Sequence, residues 1–170
     1  MGYVVTVVTI LLVIEIPLAG RYHHLVALLD DEDEWVTQWK WYAMARPRTT
    51  YVSRSDTLGG RYRVSYLLHR EIMNAPCNKE VDHRNGDGLD NRRANLRFAT
   101  PAQNARNRPL QRNNTSGVRG VHWYASKGKW RARIKVNNKY FDLGLFNDLE
   151  SATRVREAAA LKYYGEFQRK

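Results

Sequence analysis

With 170 residues, 43% of them apolar and 26% charged, the chain has the make-up of a folded, soluble protein with room for one full core or two small units, and this excludes disorder as its default state. Its formal charge of +11 is uneven: residues 1–60 carry five Lys/Arg against seven Asp/Glu, whereas residues 61–170 carry 23 against 10. Cys77 is the only cysteine, which excludes an internal disulfide or a multi-cysteine zinc site and suits a reduced, intracellular setting.

The opening stretch from Met1 to Ile14 is apolar but too short to span a bilayer. It lacks a basic flank and runs into Glu15 and Pro17 without a small-residue cleavage site. Its β-branched residues predict a buried strand, with an unusual anchor as the other reading, and no membrane partner is expected. Leu25 to Leu29 predicts a short strand, and Asp30 to Glu34 an acidic helix start that places Trp35, Val36 and Trp39 in the core. Strands are predicted over 42–45, 49–54 and 62–68, separated by Pro47 and by Leu58-Gly59-Gly60, which together form a small antiparallel sheet. A short helix over 69–74 precedes Pro76. His23 and His24 lack acidic ligands at useful spacing and read as surface or strand residues.

The segment from Glu80 to Arg108 concentrates polar chemistry. A strand ending at His83 enters a Gly/Asn/Asp-rich loop, a second strand over 96–100 leaves it, and Thr100-Pro101 starts a helix carrying Asn104. Asp82 offers a carboxylate oxygen and Asn104 an amide oxygen, a donor pair for one octahedral divalent ion, Mg²⁺ or Mn²⁺. His83 has the ordinary pKa of a general base for a water attacking phosphorus. The Asp82-His83 pair, Asn95-Leu96 and the helical Asn104 resemble the HNH endonuclease motif of phage and homing endonucleases. That resemblance implies a ββα-metal fold with motif core 79–108, Asp82 and Asn104 as metal ligands, His83 as general base and Asn95 as the asparagine that orients the histidine and its loop. Against it stands a structural reading in which Asp82 and Asn95 satisfy loop amides and His83 is a core histidine. His69 reads as structural, with a supporting role in the site as the other reading. Arg92, Arg93, Arg97 and Arg108 are candidate phosphate contacts.

Residues 109–116 have no apolar periodicity and read as a basic linker between a first domain over 1–108 and a second over 117–167. Strands are predicted over 118–124, 129–137 and 140–146, then a helix over 149–164 that Asn147 or Asp148 caps and Gly165 stops. The helix is expected to pack through Leu149, Ala152, Val155, Ala159 and Tyr163. In KWRARIKV, alternation puts Lys129, Arg131, Arg133 and Lys135 on one face and Trp130, Ala132, Ile134 and Val136 on the other. Four cations side by side repel unless an anion is expected. Arg119-Gly120-Val121, Gly128-Lys129-Trp130, Leu143-Gly144 and the Ala-rich helix resemble the AP2/ERF DNA-binding domain. By position, the resemblance implies that Arg119, Trp130 and Lys135 face DNA, and Arg131 and Arg133 stand where that family often has Ala and Glu. For Trp130 it conflicts with the alternation. His122 and Trp123 are further candidate contacts.

The fold expected is α+β in two parts, a ββα-metal nuclease unit on a small antiparallel sheet followed by a three-stranded antiparallel sheet plus helix. The function expected is a metal-dependent endonuclease of duplex DNA, phage-encoded or homing and acting as monomer or dimer, in the cytoplasm of a bacterial host if phage-encoded. The alternatives are a non-catalytic DNA-binding regulator and an RNA-binding protein.

Overall fold

The computed structural model describes residues 12–167, so most of the apolar opening stretch lies outside it. The chain forms two compact units that divide between Thr100 and Pro101. No helix among the described residues is long and apolar enough to cross a membrane.

In the first unit, β1 (Val13–Pro17) pairs antiparallel with β2 (Val26–Asp30). A 3-10 helix, Asp31–Gln38, follows. At three residues per turn its inward positions are Asp33 and Val36, both fully buried, and not the i, i+4 pair expected of an α-helix. Trp35 is therefore 43% exposed and meets Trp39 edge-on, and the tryptophan that fills the core is Trp41, whose Nε1 donates to the Val36 carbonyl at 2.9 Å. The predicted sheet forms in the order β3 (Tyr42–Ala45), β4 (Thr50–Leu58), β5 (Tyr62–Leu67), all antiparallel. The short helix α1 (Leu68–Ile72) then leads to the hairpin of β6 (Glu80–His83) and β7 (Leu96–Ala99). One apolar cluster, including Leu29, Trp41, Val52, Leu68, Val81 and Leu96, joins the hairpin to the rest of the unit.

The second unit begins with α2 (Pro101–Asn107), a helix expected in the first domain, over 1–108. The Arg106 guanidinium of α2 lies 4.3 Å from the Tyr164 ring centre, which ties this helix to the C-terminal module. Residues 109–116 contain no helix or strand. They are not a free spacer, since Arg119 donates to the carbonyls of Arg108 and Pro109, and Asn114 Nδ2 donates to that of Val118. The sheet runs β10 (Lys139–Phe146), β9 (Lys129–Val136), β8 (Val121–Tyr124), again antiparallel. Asn137 and Asn138 take positive φ in the tight turn between β9 and β10, as a two-residue hairpin loop requires.

Helix α3 (Leu149–Tyr164) has the predicted bounds. Asp148 accepts from the Ser151 amide at 2.7 Å, and Gly165 ends the helix at φ +54°. Its inner stripe is Leu149, Ala152, Arg156 and Ala160, whereas Val155 and Tyr163 face outward. The expected stripe drifted by one position because it kept apolar residues together, and the residue that takes the interior place is an arginine. Gly120 makes this possible: a Cβ there would sit 2.4 Å from the Arg133 carbonyl and 2.7 Å from Arg156 Nε.

Candidate active site and nucleic-acid interface

The turn between β6 and β7 is fixed from both sides. Asn95 Oδ1 accepts from the Asn85 amide at 3.0 Å, and its Nδ2 donates to Asn85 Oδ1 and to the Asp90 carbonyl. Asp90 also holds Arg92 and the Asn85 amide group, and the Arg92 hydrogen bond keeps its carboxyl below the ordinary carboxylate range. The loop is pinned to the first unit's other strands through the Leu28 amide on the Leu89 carbonyl, the Asn91 amide on the Leu28 carbonyl, and the Gly88 amide on Thr49 Oγ1. Gly88 passes so close to β4 that a Cβ would lie 2.5 Å from the Thr50 carbonyl, so glycine is required there by close approach.

These ties bring Asn91 to His83. His83 Nε2 lies 3.3 Å from Asn91 Oδ1, while Asn91 Nδ2 donates to the Gly88 and Leu89 carbonyls at 3.3 and 3.0 Å. With its amide donors committed, Asn91 presents an acceptor, so neutral His83 carries its hydrogen on Nε2 and its lone pair on Nδ1. Asn91 thus stands at hydrogen-bond distance from His83, whereas Asn95, expected to orient the histidine and its loop, bonds Asn85 and the Asp90 carbonyl within the loop. The sequence holds a signal for Asn91, since it is one of the three asparagines of the same loop, but nothing in the spacing separates it from Asn85 or Asn95.

His83 is buried, and desolvation lowers its pKa although the Asn91 bond and the charges of Asp82, Asp87 and Asp90 oppose the shift. His69, 5% exposed, stands with its ring centre 5.0 Å from that of His83, and Tyr51 packs on both at 5.4 and 5.9 Å. Burial, with His83 and Arg70 nearby, takes the His69 pKa down to about 3. Its Nδ1 is buried without a hydrogen-bond partner. His69 therefore belongs to the same buried ring cluster as the candidate base.

Asp82, opposite Arg97 in the hairpin register, is buried with it. Its Oδ2 accepts from Arg97 Nε at 2.9 Å and Nη2 at 2.7 Å. Asp82 and Asn104 are oxygen donors, and that chemistry suits a hard divalent ion; at Asp82 such an ion would meet a carboxylate that already holds a guanidinium. Asn104 lies on α2, in the second unit. Among the described residues three carboxylates converge elsewhere, at Asp30, Glu32 and Asp33, and Arg93 is their cation. Its side chain reaches Asp33 at 2.9 and 2.7 Å and Glu32 at 2.9 Å, and its amide donates to Asp30 Oδ2 at 2.7 Å. Three of the four arginines expected as phosphate contacts, Arg92, Arg93 and Arg97, thus hold internal carboxylates.

In the second unit the alternation along β9 holds. Ala132 and Ile134 are buried, and Lys129 and Lys135 exposed. Arg131 pairs with Asp142 and lies over the Tyr124 ring; Arg133 and Lys135 both lie over Tyr140. Trp130 is on the opposite side, packed against Val121, Ala132 and Ala152. Its cross-strand neighbour Trp123 touches it edge-on at 5.3 Å. For Trp130 the alternation therefore holds: register and packing put both tryptophans on the side of the sheet away from Arg131, Arg133 and Lys135, Trp130 half-buried and Trp123 exposed. Arg119, also expected to face DNA, has its guanidinium on the Arg108 and Pro109 carbonyls.

Residues 74–106 match the family described as HNH endonuclease. Protein 3.8 of Escherichia phage T7 is 34% identical over 71 residues, which is 41% of this chain and 59% of that protein. An uncharacterized HNH endonuclease of Acanthamoeba polyphaga mimivirus is 27% identical over 139 residues, 79% of this chain and 69% of that protein. No solved structure matches the chain.

Proposed function

We propose that the chain is a metal-dependent HNH endonuclease that hydrolyses phosphodiester bonds in duplex DNA, and that its C-terminal sheet and helix are an AP2/ERF-like module holding the substrate. The observation that carries this reading is the buried His83, kept neutral by desolvation and fixed by Asn91 in the tautomer whose lone pair is on Nδ1, inside the segment that matches the family. Nδ1 takes a proton from the water that attacks phosphorus, and the 3′-oxygen leaves. A Mg²⁺ or Mn²⁺ ion, for which Asp82 and Asn104 would be the ligands, supplies charge stabilisation of the transition state and leaving group. Arg133 and Lys135 neutralise backbone phosphates from the exposed face of β9. One ion per site implies a nick, and a double-strand break implies a dimer or two successive nicks. The viral relatives support a phage or mobile-element role and, with it, the cytoplasm of a host cell.

A second reading, a DNA-binding regulator without catalysis, is favoured by the Asp82–Arg97 pair, which already neutralises the candidate metal ligand. Incubation of the wild type and His83→Ala with supercoiled plasmid and Mg²⁺ or Mn²⁺, with an EDTA control, decides between them. Metal-dependent relaxation or linearisation lost in the variant supports the nuclease. DNA that is bound but never cut supports the regulator.

A further inference from the structure

Arg156 occupies an interior position of α3 at 5% exposure. Among the described residues no carboxylate pairs with it, and its Nε is buried without a hydrogen-bond partner. A buried cation left in this state is costly, and arginines that are kept inside proteins ordinarily have an anion or acceptors around them. Its surroundings increase the cost. The Arg156 guanidinium lies 5.6 Å from the Tyr164 ring centre, and Arg106 lies over the same ring at 4.3 Å. Arg119 is close enough that its charge, after burial, lowers the Arg156 pKa. All three arginines line one cavity of about 370 Å³ together with Tyr164, Pro109 and Leu110. The one carboxylate on its wall, Glu157, is exposed.

We propose that this cavity is a binding site for a phosphate group, with Arg106, Arg119 and Arg156 as its cationic walls. Guanidinium groups match phosphate oxygens with paired N–H donors, and a bound phosphate supplies the acceptors that Arg156 lacks. The Tyr164 ring keeps two of the guanidinia in place before the anion arrives. A second cavity of about 780 Å³ shares the three arginines and reaches Arg133, Lys135 and Tyr140. A nucleic-acid backbone lying on the outer sheet face therefore has a route for one of its phosphates into the site. Only this choice of source rests on the DNA-binding reading above; the site itself does not.

The test is thermal unfolding of the full chain in inorganic phosphate against chloride at equal ionic strength, for wild type, Arg156→Leu and Arg106→Ala. The proposal expects phosphate to raise the wild-type midpoint by several degrees over chloride, with concentration dependence. It expects Arg156→Leu, which removes an unpaired buried charge, to unfold no earlier than the wild type in chloride and to lose the phosphate response. Arg106→Ala, on the partly exposed α2, should weaken that response and serves if the first variant fails to fold. A wild-type midpoint no higher in phosphate than in chloride, or an equal rise in all three proteins, overturns it. Duplex-DNA binding measured against salt then names the source. A log–log slope lowered by about one in Arg156→Leu supports a backbone phosphodiester, and an unchanged slope alongside a lost phosphate response supports free phosphate. Failure of the wild type to bind DNA at all would count against the proposed function while leaving the phosphate response to be read by itself.

Discussion

Asn91 Oδ1 stands 3.3 Å from His83 Nε2 while the same amide donates to the Gly88 and Leu89 carbonyls, so one asparagine sets the histidine tautomer and closes the loop above it. Replacing it by alanine removes both functions. Asn91→Ala is expected to lower plasmid cleavage about 10- to 100-fold, on the scale of a lost supporting hydrogen bond, with DNA affinity unchanged. Unpaired carbonyls also cost about 1–3 kcal/mol of stability. Cleavage rate and filter binding on the same preparation check this, and an equal loss in both would mean the loop has collapsed.

The two neighbouring imidazoles make the fold sensitive to acid. In the unfolded chain both titrate near the ordinary value of about 6.5, whereas in the folded protein His83 is lowered and His69 falls to about 3. Below pH 6.5 the unfolded state therefore binds more protons, and stability falls as the pH drops from 6.5 toward 3. The limiting slope for His69 alone is about 1.4 kcal/mol per pH unit. Urea titrations between pH 7 and 4.5 should show this loss, and His69→Leu should reduce it. A variant whose stability falls as steeply as the wild type would locate the acid sensitivity elsewhere.

The Asp82–Arg97 pair is buried on both sides. Arg97→Met leaves a carboxylate without its cation and is expected to cost about 3–5 kcal/mol, much of it recovered in the double variant Asp82→Leu/Arg97→Met. Chemical denaturation at pH 7 measures both. A loss under about 1 kcal/mol in the single variant would mean that solvent reaches the carboxylate.

The opposite faces of β9 predict opposite phenotypes. Arg133→Ala should weaken binding to any duplex and lower the salt slope by about one. Trp130→Ala should destabilise the second unit, by less than the ~3–5 kcal/mol of a fully buried tryptophan because the side chain is half-buried, and leave the slope unchanged. A reduced slope in Trp130→Ala at a temperature where it is folded would return Trp130 to the DNA face.

Local rules carried far along this chain. The bounds of α3 follow from Asp148 and Gly165, which act on their own neighbours, and the faces of β9 follow from strict alternation. The β6–β7 hairpin around Asp82 and His83 was legible because a Gly/Asn/Asp-rich loop separates two short segments and Thr100-Pro101 closes the second. What was not legible depends on approach between distant segments. Which of Asn85, Asn91 and Asn95 meets His83 is set by the Gly88 backbone resting on β4. Trp35 was misplaced, while Trp39 does pack against the core, because a 3-10 helix has a different period from an α-helix, and five acidic residues in succession do not tell the two apart. Arg156 was missed because a helical stripe is sought among apolar side chains. Arg92, Arg93 and Arg97 looked like anion contacts until their carboxylate partners, one of them 60 positions away, came into view.

The posts that hold the His83 loop are Leu28, Asp30, Asp33 and Thr49, and all of them precede the segment that matches the family. Their contacts span roughly 40 to 60 positions, so the loop acquires its shape only after long chain closures, late in folding rather than with its own hairpin. A peptide of residues 74–106 would carry the motif's letters without its geometry. Transplanting the motif into another scaffold would require that scaffold to supply its own acidic clamp for Arg93 and a strand edge for Leu89 and Asn91.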